Sequence, residues 1–297
     1  MSSGATVLFD APGPRARRRN AILTVIGALL VAAIVAVILV RLADNGQFDG
    51  VRWEWLQYEG IQRNIFIDGL TATLKAFVIS AVLSVLLGLV LSIGRLSPNR
   101  WLRYPAVGFV TVFRALPVVV LMFIPYFGGS SLFGESIPLL WCVVFGLVVY
   151  NSSVLAEIFR AGVLAVPKGQ SEAAASIGLS RSQTLRIVLF PQAIRSMLPT
   201  IISQLVVVLK DTALGFVIGY QELLVKGQEV ARDPSFQLPY IPVAIVIGAI
   251  YIVLCALLSW LATYAERRTG SSRRPRRAFD TGVGEPVPGD EVLDLPV

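Results

Sequence analysis

Residues 234–265 read PSFQLPYIPVAIVIGAIYIVLCALLSWLATYA and contain no charged side chain. A helix needs about 20 apolar residues to cross the hydrocarbon core of a bilayer. This stretch has them with residues to spare. Helix is the expected form, because hydrocarbon offers no partner to an unpaired N–H or C=O. Moving outward towards the N-terminus, the same lack of charge recurs over residues 20–40, 76–94, 115–134 and 136–156. Residues 196–209 and 212–221 are also uncharged, separated only by Lys210 and Asp211. The pattern predicts an all-α, polytopic membrane protein with six transmembrane helices, the fifth carrying a charged pair.

Composition agrees. The chain is 55% apolar and 15% charged, with a mean hydropathy of +0.71. Soluble domains are roughly 45–50% apolar and about 25% charged. Arg15, Arg17, Arg18 and Arg19 precede the first run, as they would in a signal peptide. The run is longer than a signal core and lacks a clear cleavage site, so it reads as a retained anchor. Cys142 and Cys255 both fall inside spans and read as small buried hydrophobes. The sequence has no histidine, which excludes histidine metal sites and histidine proton relays.

The basic residues give the sidedness. With the N-terminus in the cytoplasm, six spans return the C-terminus there. This topology places most of the 26 Lys and Arg inside, from the N-terminal arginines to the Arg267–Arg277 cluster. Only Arg41, Arg52, Arg63, Lys75, Lys226 and Arg232 fall outside. The positive-inside rule selects that orientation; the expected location is the plasma (inner) membrane. It also accounts for the net charge of +7. The clusters flank spans without interleaved aromatics, so membrane lipids with anionic headgroups are the expected partners and nucleic acid is not. Trp53, Trp55 and Tyr58 read as an interfacial aromatic belt, with a docking surface for an extracellular partner as the alternative.

The expected divisions are a basic cytoplasmic arm (1–20), a first anchor with an extracellular segment (21–68), a transmembrane domain (69–265) and a basic, then disordered, tail (266–297). Within the third division, residues 157–195 form the longest inside loop between spans. Gly169 to Ile177 reads as a short helix, with Ser171 as its cap and Glu172 in its first turn. Gly178 supplies a stop. Ser180-Arg181-Ser182-Gln183 fits a capping box for a second helix, running towards Pro191. Small alanine faces allow close approach to another surface. The residues alone leave two readings open, a docking element and a connector lying on the membrane.

Spacing adds a resemblance. Glu172-Ala173-Ala174 is followed by three residues and Gly178, and nine more lead to Val188-Leu189-Phe190-Pro191. This resembles the EAA motif of permeases in ATP-binding-cassette importers, with Val188 and Phe190 where the family has Ile and Leu. YNSSVLAEIFRAGVLAVPKGQSEAA (150–174), FRALPVVVLMF (113–123) and QLVVVLKDTAL (204–214) resemble the polar amino-acid branch, of histidine, glutamine and glutamate type. Ala115 and Leu116 depart from a usual Gly-Thr, and Ala213 from a usual Ser. The likeness covers about residues 69–265.

The resemblance implies a type I importer fold with a cytoplasmic coupling-helix loop at about 160–195. It implies a permease that moves a polar amino acid, with glutamate or glutamine favoured, and not an enzyme. Glu172, Ala173, Ala174, Gly178 and Pro191 would then couple to separate ATPase subunits. The other implied partners are a second permease chain and an extracellular solute-binding protein. No phosphate loop of Gly-x-x-x-x-Gly-Lys-Ser/Thr type occurs in the sequence. No cofactor is therefore expected here, and ATP and Mg belong to the partner ATPase.

Candidate path residues come from polarity in apolar surroundings. Lys210 and Asp211 are costly at bilayer depth and read as a path element or as local neutralisation with packing. Thr212 adds a hydroxyl. Asn151, beside Tyr150, fits a lining role or a bond between helices. Arg114 fits a snorkelling anchor or a gate beside a kink at Pro117. Glu157 and Arg160 fit a pair along one helix face. The rival function is an ATP-independent secondary amino-acid transporter, which should show internal repeats and needs no docking loop. No clear repeat is visible. A signalling scaffold would leave Lys210-Asp211 unexplained.

Overall fold

The computed structural model describes residues 13–268. The Pro-, Gly- and acid-rich segment beyond Arg277, expected to be disordered, lies outside the described residues. Nine helices follow one another among those described: α1 (Pro14–Asp44), α2 (Glu59–Leu96), α3 (Arg100–Ala115), α4 (Val118–Phe133), α5 (Leu139–Ala165), α6 (Lys168–Ser176), α7 (Arg181–Ile218), α8 (Leu223–Ala231) and α9 (Tyr240–Arg268). Short 3-10 turns stand at Gly50–Gln57 and Pro234–Phe236. Among the described residues, five helices are long and apolar enough to cross a membrane, and the α3–α4 pair makes a sixth if it counts as one bent span.

That pair breaks more sharply than the kink at Pro117 expected at the start of the third span, 115–134. A proline pushes the preceding residue out of the helical region. Leu116, ahead of Pro117, takes φ −88° and ψ 141°, and α3 meets α4 at 100°. The loop expected before this span is helix α3. Asn99 caps it by accepting from Trp101 N at 3.0 Å. Ala106 and Val110 are its buried residues, while Trp101, Leu102 and Tyr104 are exposed.

Both helices around the expected inside loop also run further than their apolar runs. α5 continues through Glu157 and Arg160 to Ala165. α7 starts at Arg181 and passes Pro191 without breaking. Proline lacks an N–H and crowds the carbonyl four residues back. A wider π-helical turn over Thr184–Leu189 sits just before Pro191 and accommodates it. The loop proper shrinks to α6 and its flanks.

α5 is the most enclosed of the spanning helices. At one end Cys142, Val143 and Leu147 pack with Ala76, Met122, Ile218 and Tyr220. Further along, Leu155, Phe159 and Val163 pack with Phe190, Ala193 and Ile201. α2 lies against α5 through a stripe four residues apart: Ser80, Ser84, Gly88 and Ser92 are all buried. A Cβ on Gly88 would stand 2.9 Å from Leu155 Cβ and 3.1 Å from Ser152 O. Small residues at this seam let the two backbones close up.

A third cluster joins Trp55, Ile65, Leu223, Phe236, Val243 and Ile247. Trp55 therefore leaves the aromatic belt expected for it, because the 3-10 turn at Gly50–Gln57 places it in this core. Tyr58 stays exposed, edge-on to Phe236 with ring centroids 5.2 Å apart. The outward faces carry Ile, Val, Leu and Trp, including Val78, Val82, Leu86, Ile252 and Trp260. α1 has no buried residue at all. Such faces suit lipid, which is as apolar as the side chains it meets.

Candidate functional site

The α6 hairpin is the most distinctive polar feature at one end of the bundle. Pro167 ends the α5 connection, and α6 begins at Lys168. The helix therefore starts earlier than the Ser171 cap expected from sequence. Ser171 Oγ instead donates to Lys168 O at 2.7 Å, and Glu172 falls beyond the first turn. The C-terminus closes as expected. Gly178 adopts φ +80°, where a side chain costs about 1–2 kcal/mol. Leu179 N donates to Ala174 O and Gly178 N to Ala175 O, the paired bonds of a Schellman stop. Ser180 then caps α7 with a full capping box to Gln183.

One face of α6 rests on α7. Ala174 is buried, and Gln192 Nε2 donates to Gln170 Oε1 at 3.2 Å. The other face is open. Glu172, Ala173 and Gly178 are exposed, and Ile177 is 76% exposed at the tip. Ile177 is thus a large apolar side chain held out on a turn among small residues. Ile177 was legible only as part of the helix; its exposure follows from the Gly178 turn. Pro191 is exposed on α7.

Along the helices, Asn151 is fully buried on α5. It donates to Leu147 O at 2.8 Å and accepts from Gln204 Nε2 of α7 at 2.7 Å. Gln204 was not singled out from sequence; a glutamine one turn from mid-span was the available signal. Lys210 and Asp211 lie seven residues or so further along α7, where it tightens into the 3-10 turn Thr212–Ile218. Lys210 is exposed and Asp211 half-buried. Among the described residues neither side chain makes a hydrogen bond or ion pair. Thr212 is buried and donates to Leu209 O at 2.7 Å. Arg114 and Pro117 are both exposed at the α3–α4 bend. The structure thus joins Asn151 to α7, and places Arg114 and Pro117 at a separate corner.

Two charged groups were undervalued by sequence reading. Glu157 pairs with Arg160 on its own helix, at 3.1 Å from Nε, and also with Arg95 of α2. Glu222, in the turn before α8, is fully buried. It accepts from Leu224 N, Val225 N and Tyr251 Oη of α9, the last at 2.7 Å. Beside it, Thr73 Oγ1 accepts from Leu223 N, and Tyr220 Oη donates to Ala72 O. This turn ties α2, α8 and α9 together. No group of metal-ligating side chains occurs among the described residues.

Residues 64–271 match the family described as binding-protein-dependent transport system inner membrane component. The glutamate transport system permease protein GluD of Corynebacterium glutamicum is 38% identical over 255 residues, covering 85% of this chain and 92% of that one. The arginine transport system permease protein ArtQ of Bacillus subtilis is 33% identical over 206 residues, covering 69% and 93%. A crystal structure of an amino acid ABC transporter with histidines superposes with a TM-score of 0.61 at 34% identity, covering 69% of this chain and 94% of that chain.

Proposed function

The chain belongs to the family of binding-protein-dependent transport system inner membrane components, and from that premise we propose that it is the permease subunit of an ATP-driven amino-acid importer with glutamate or glutamine as cargo. The observation that carries the reading is the α6 hairpin, with Ile177 held out 76% exposed beside the left-handed Gly178. It offers a separate ATPase a firm knob between two spanning helices. Glu172, Ala173, Ala174 and Gly178 would seat in that subunit, and Pro191 would set the course of α7 behind them. ATP and Mg would be held by the ATPase.

A second permease chain would complete the pore, and an extracellular solute-binding protein would deliver the amino acid. Both termini and α6 would face the cytoplasm, in line with the basic residues. The path would run along α5 and α7 past Asn151, Lys210, Asp211 and Thr212. Arg114 and Pro117 would act at the bend. The exposed Lys210 and the half-buried Asp211 have the amino-acid complement in charge, one for a carboxylate and one for an ammonium. Support for glutamate comes from the 38% likeness to a glutamate permease. The gradient-driven alternative finds no support in any of the likenesses.

Substrate choice is tested by competition. Proteoliposomes holding the permease with its ATPase and binding protein take up labelled glutamate against excess unlabelled glutamate, glutamine, arginine or histidine. Inhibition by glutamate and glutamine is expected. No uptake of labelled glutamate, or inhibition by arginine and histidine stronger than by glutamine, would reassign the cargo.

A further inference from the structure

We propose that Arg95, Glu157 and Arg160 form a positioning device that makes α2 follow the coupling helix. The inference rests on the permease reading above and concerns how motion at α6 reaches the rest of the bundle.

The geometry starts at the α2–α5 seam. The two helices run in the same direction, since Ala76 packs near Cys142 and Gly88 against Leu155. Small residues make this seam close but give it little grip. The Oγ atoms of Ser80, Ser84 and Ser92 are buried with no hydrogen-bond partner across it. Nothing polar along that stretch stops α2 from sliding on α5.

Grip appears at the α6 end. Arg95, in the last turn of α2, donates through Nη1 to Glu157 Oε2. Arg160 donates through Nε to the other oxygen, Oε1, at 3.1 Å. Each carboxylate oxygen thus serves one guanidinium. The Arg95 and Glu157 side chains are 13% and 27% exposed, so the pair is shielded more than a surface ion pair. Charge-assisted bonds of this kind hold direction as well as distance.

The connection onward is stiff. α5 ends at Ala165, and α6 begins at Lys168 after only Val166 and Pro167. A push on α6 therefore moves the end of α5 that carries Glu157. On the other side of the pair, α2 passes through Ser97 and Pro98 into α3, which leads to the 100° bend with α4. Among the described residues, the Arg95–Glu157 bond is the ion pair that joins α2 to α5. It hands displacement of the coupling helix to the helices around the bend.

The test uses the complete importer in proteoliposomes. Molecules of amino acid imported per ATP hydrolysed are measured for wild type, Glu157→Gln, Arg95→Gln and the exchange Arg95→Glu with Glu157→Arg. The exchange keeps the charge count and an α2–α5 ion pair, with the carboxylate now on α2. The expected result is that both single variants assemble with the ATPase and hydrolyse ATP, while import per ATP falls roughly tenfold, within the usual range of coupling factors. The exchange should recover most of it. Uptake and hydrolysis falling together, with import per ATP unchanged, would mean a purely structural role and overturn the proposal. So would an exchange variant that assembles and stays uncoupled. Wild-type uptake that ignores ATP would instead overturn the permease reading itself, so the two failures are distinguishable.

Discussion

Glu222 accepts three hydrogen bonds inside the protein, yet burial still holds its carboxyl above the ordinary range. The bonds from Leu224 N, Tyr251 Oη and Val225 N pull the other way and lose to desolvation. The sign of the pH effect follows. A pKa raised on folding gives a contribution that is full below the unfolded value, about 4.3. It is lost as pH rises through the folded value. Amide exchange at Leu224 and Val225, corrected for intrinsic rates, should therefore quicken as pH rises above the unfolded value. Glu222→Gln should flatten that trend; equal trends in both proteins would contradict the assignment. Asn151 and Gln204 support a second prediction. A double-mutant cycle to alanine, read by thermal unfolding in detergent, should give a coupling of about 0.6 kcal/mol, and no more than about 1.7. Zero coupling would contradict the bond. Asn151 was visible in the sequence as a polar residue amid apolar ones. Glu222 was not, because a carboxylate next to a span end reads as solvated until the chain folds Tyr251 over it.

At the scale of elements, α6 and α3 show what local chemistry encodes. The Gly178 stop and the Ser180 capping box were readable, because both are set by residues within a few positions of each other. The N-cap of α6 was misplaced by four residues, since Pro167 holds that position and Ser171 only bonds back to Lys168. α3 was missed altogether. It has no long apolar run, and its register is set by Ala106 and Val110 packing on neighbours distant in sequence. The extension of α5 past residue 156 escaped for a related reason. Glu157 looks like the end of a span, but pairing with Arg95 and Arg160 lets the helix carry it. The docking role of α6 predicts that Ile177→Asp abolishes co-purification of the ATPase while the permease keeps its unfolding temperature. The changed side chain is exposed, so the fold has nothing to lose. Retained co-purification would move the docking surface elsewhere.

For the whole molecule, the fold class was legible from the sequence because hydrocarbon allows so few spanning structures. Apolar runs alone gave six spans; the described residues resolve them as five long helices and one bent pair. The orientation proposed from the basic residues is open to test. Replace Cys142 and Cys255 by serine, then place a single cysteine at Ser182 or Ser235, both exposed at opposite ends. A membrane-impermeant thiol reagent added to intact cells should label Ser235→Cys and spare Ser182→Cys. The reverse would invert the topology. α1 stands apart in this scheme: it carries no buried residue and lies outside the matched family segment.

The central claim is that transport through this chain is driven by ATP hydrolysed on a subunit docked at α6. Its most direct test is uptake of labelled glutamate into proteoliposomes containing permease, ATPase and binding protein, with ATP present or absent, for wild type and Gly178→Asp. The account predicts uptake that requires ATP and collapses in Gly178→Asp, whose φ of +80° and open surroundings place the new carboxylate at the docking face. Uptake that continues without ATP and follows an imposed ion gradient would contradict it.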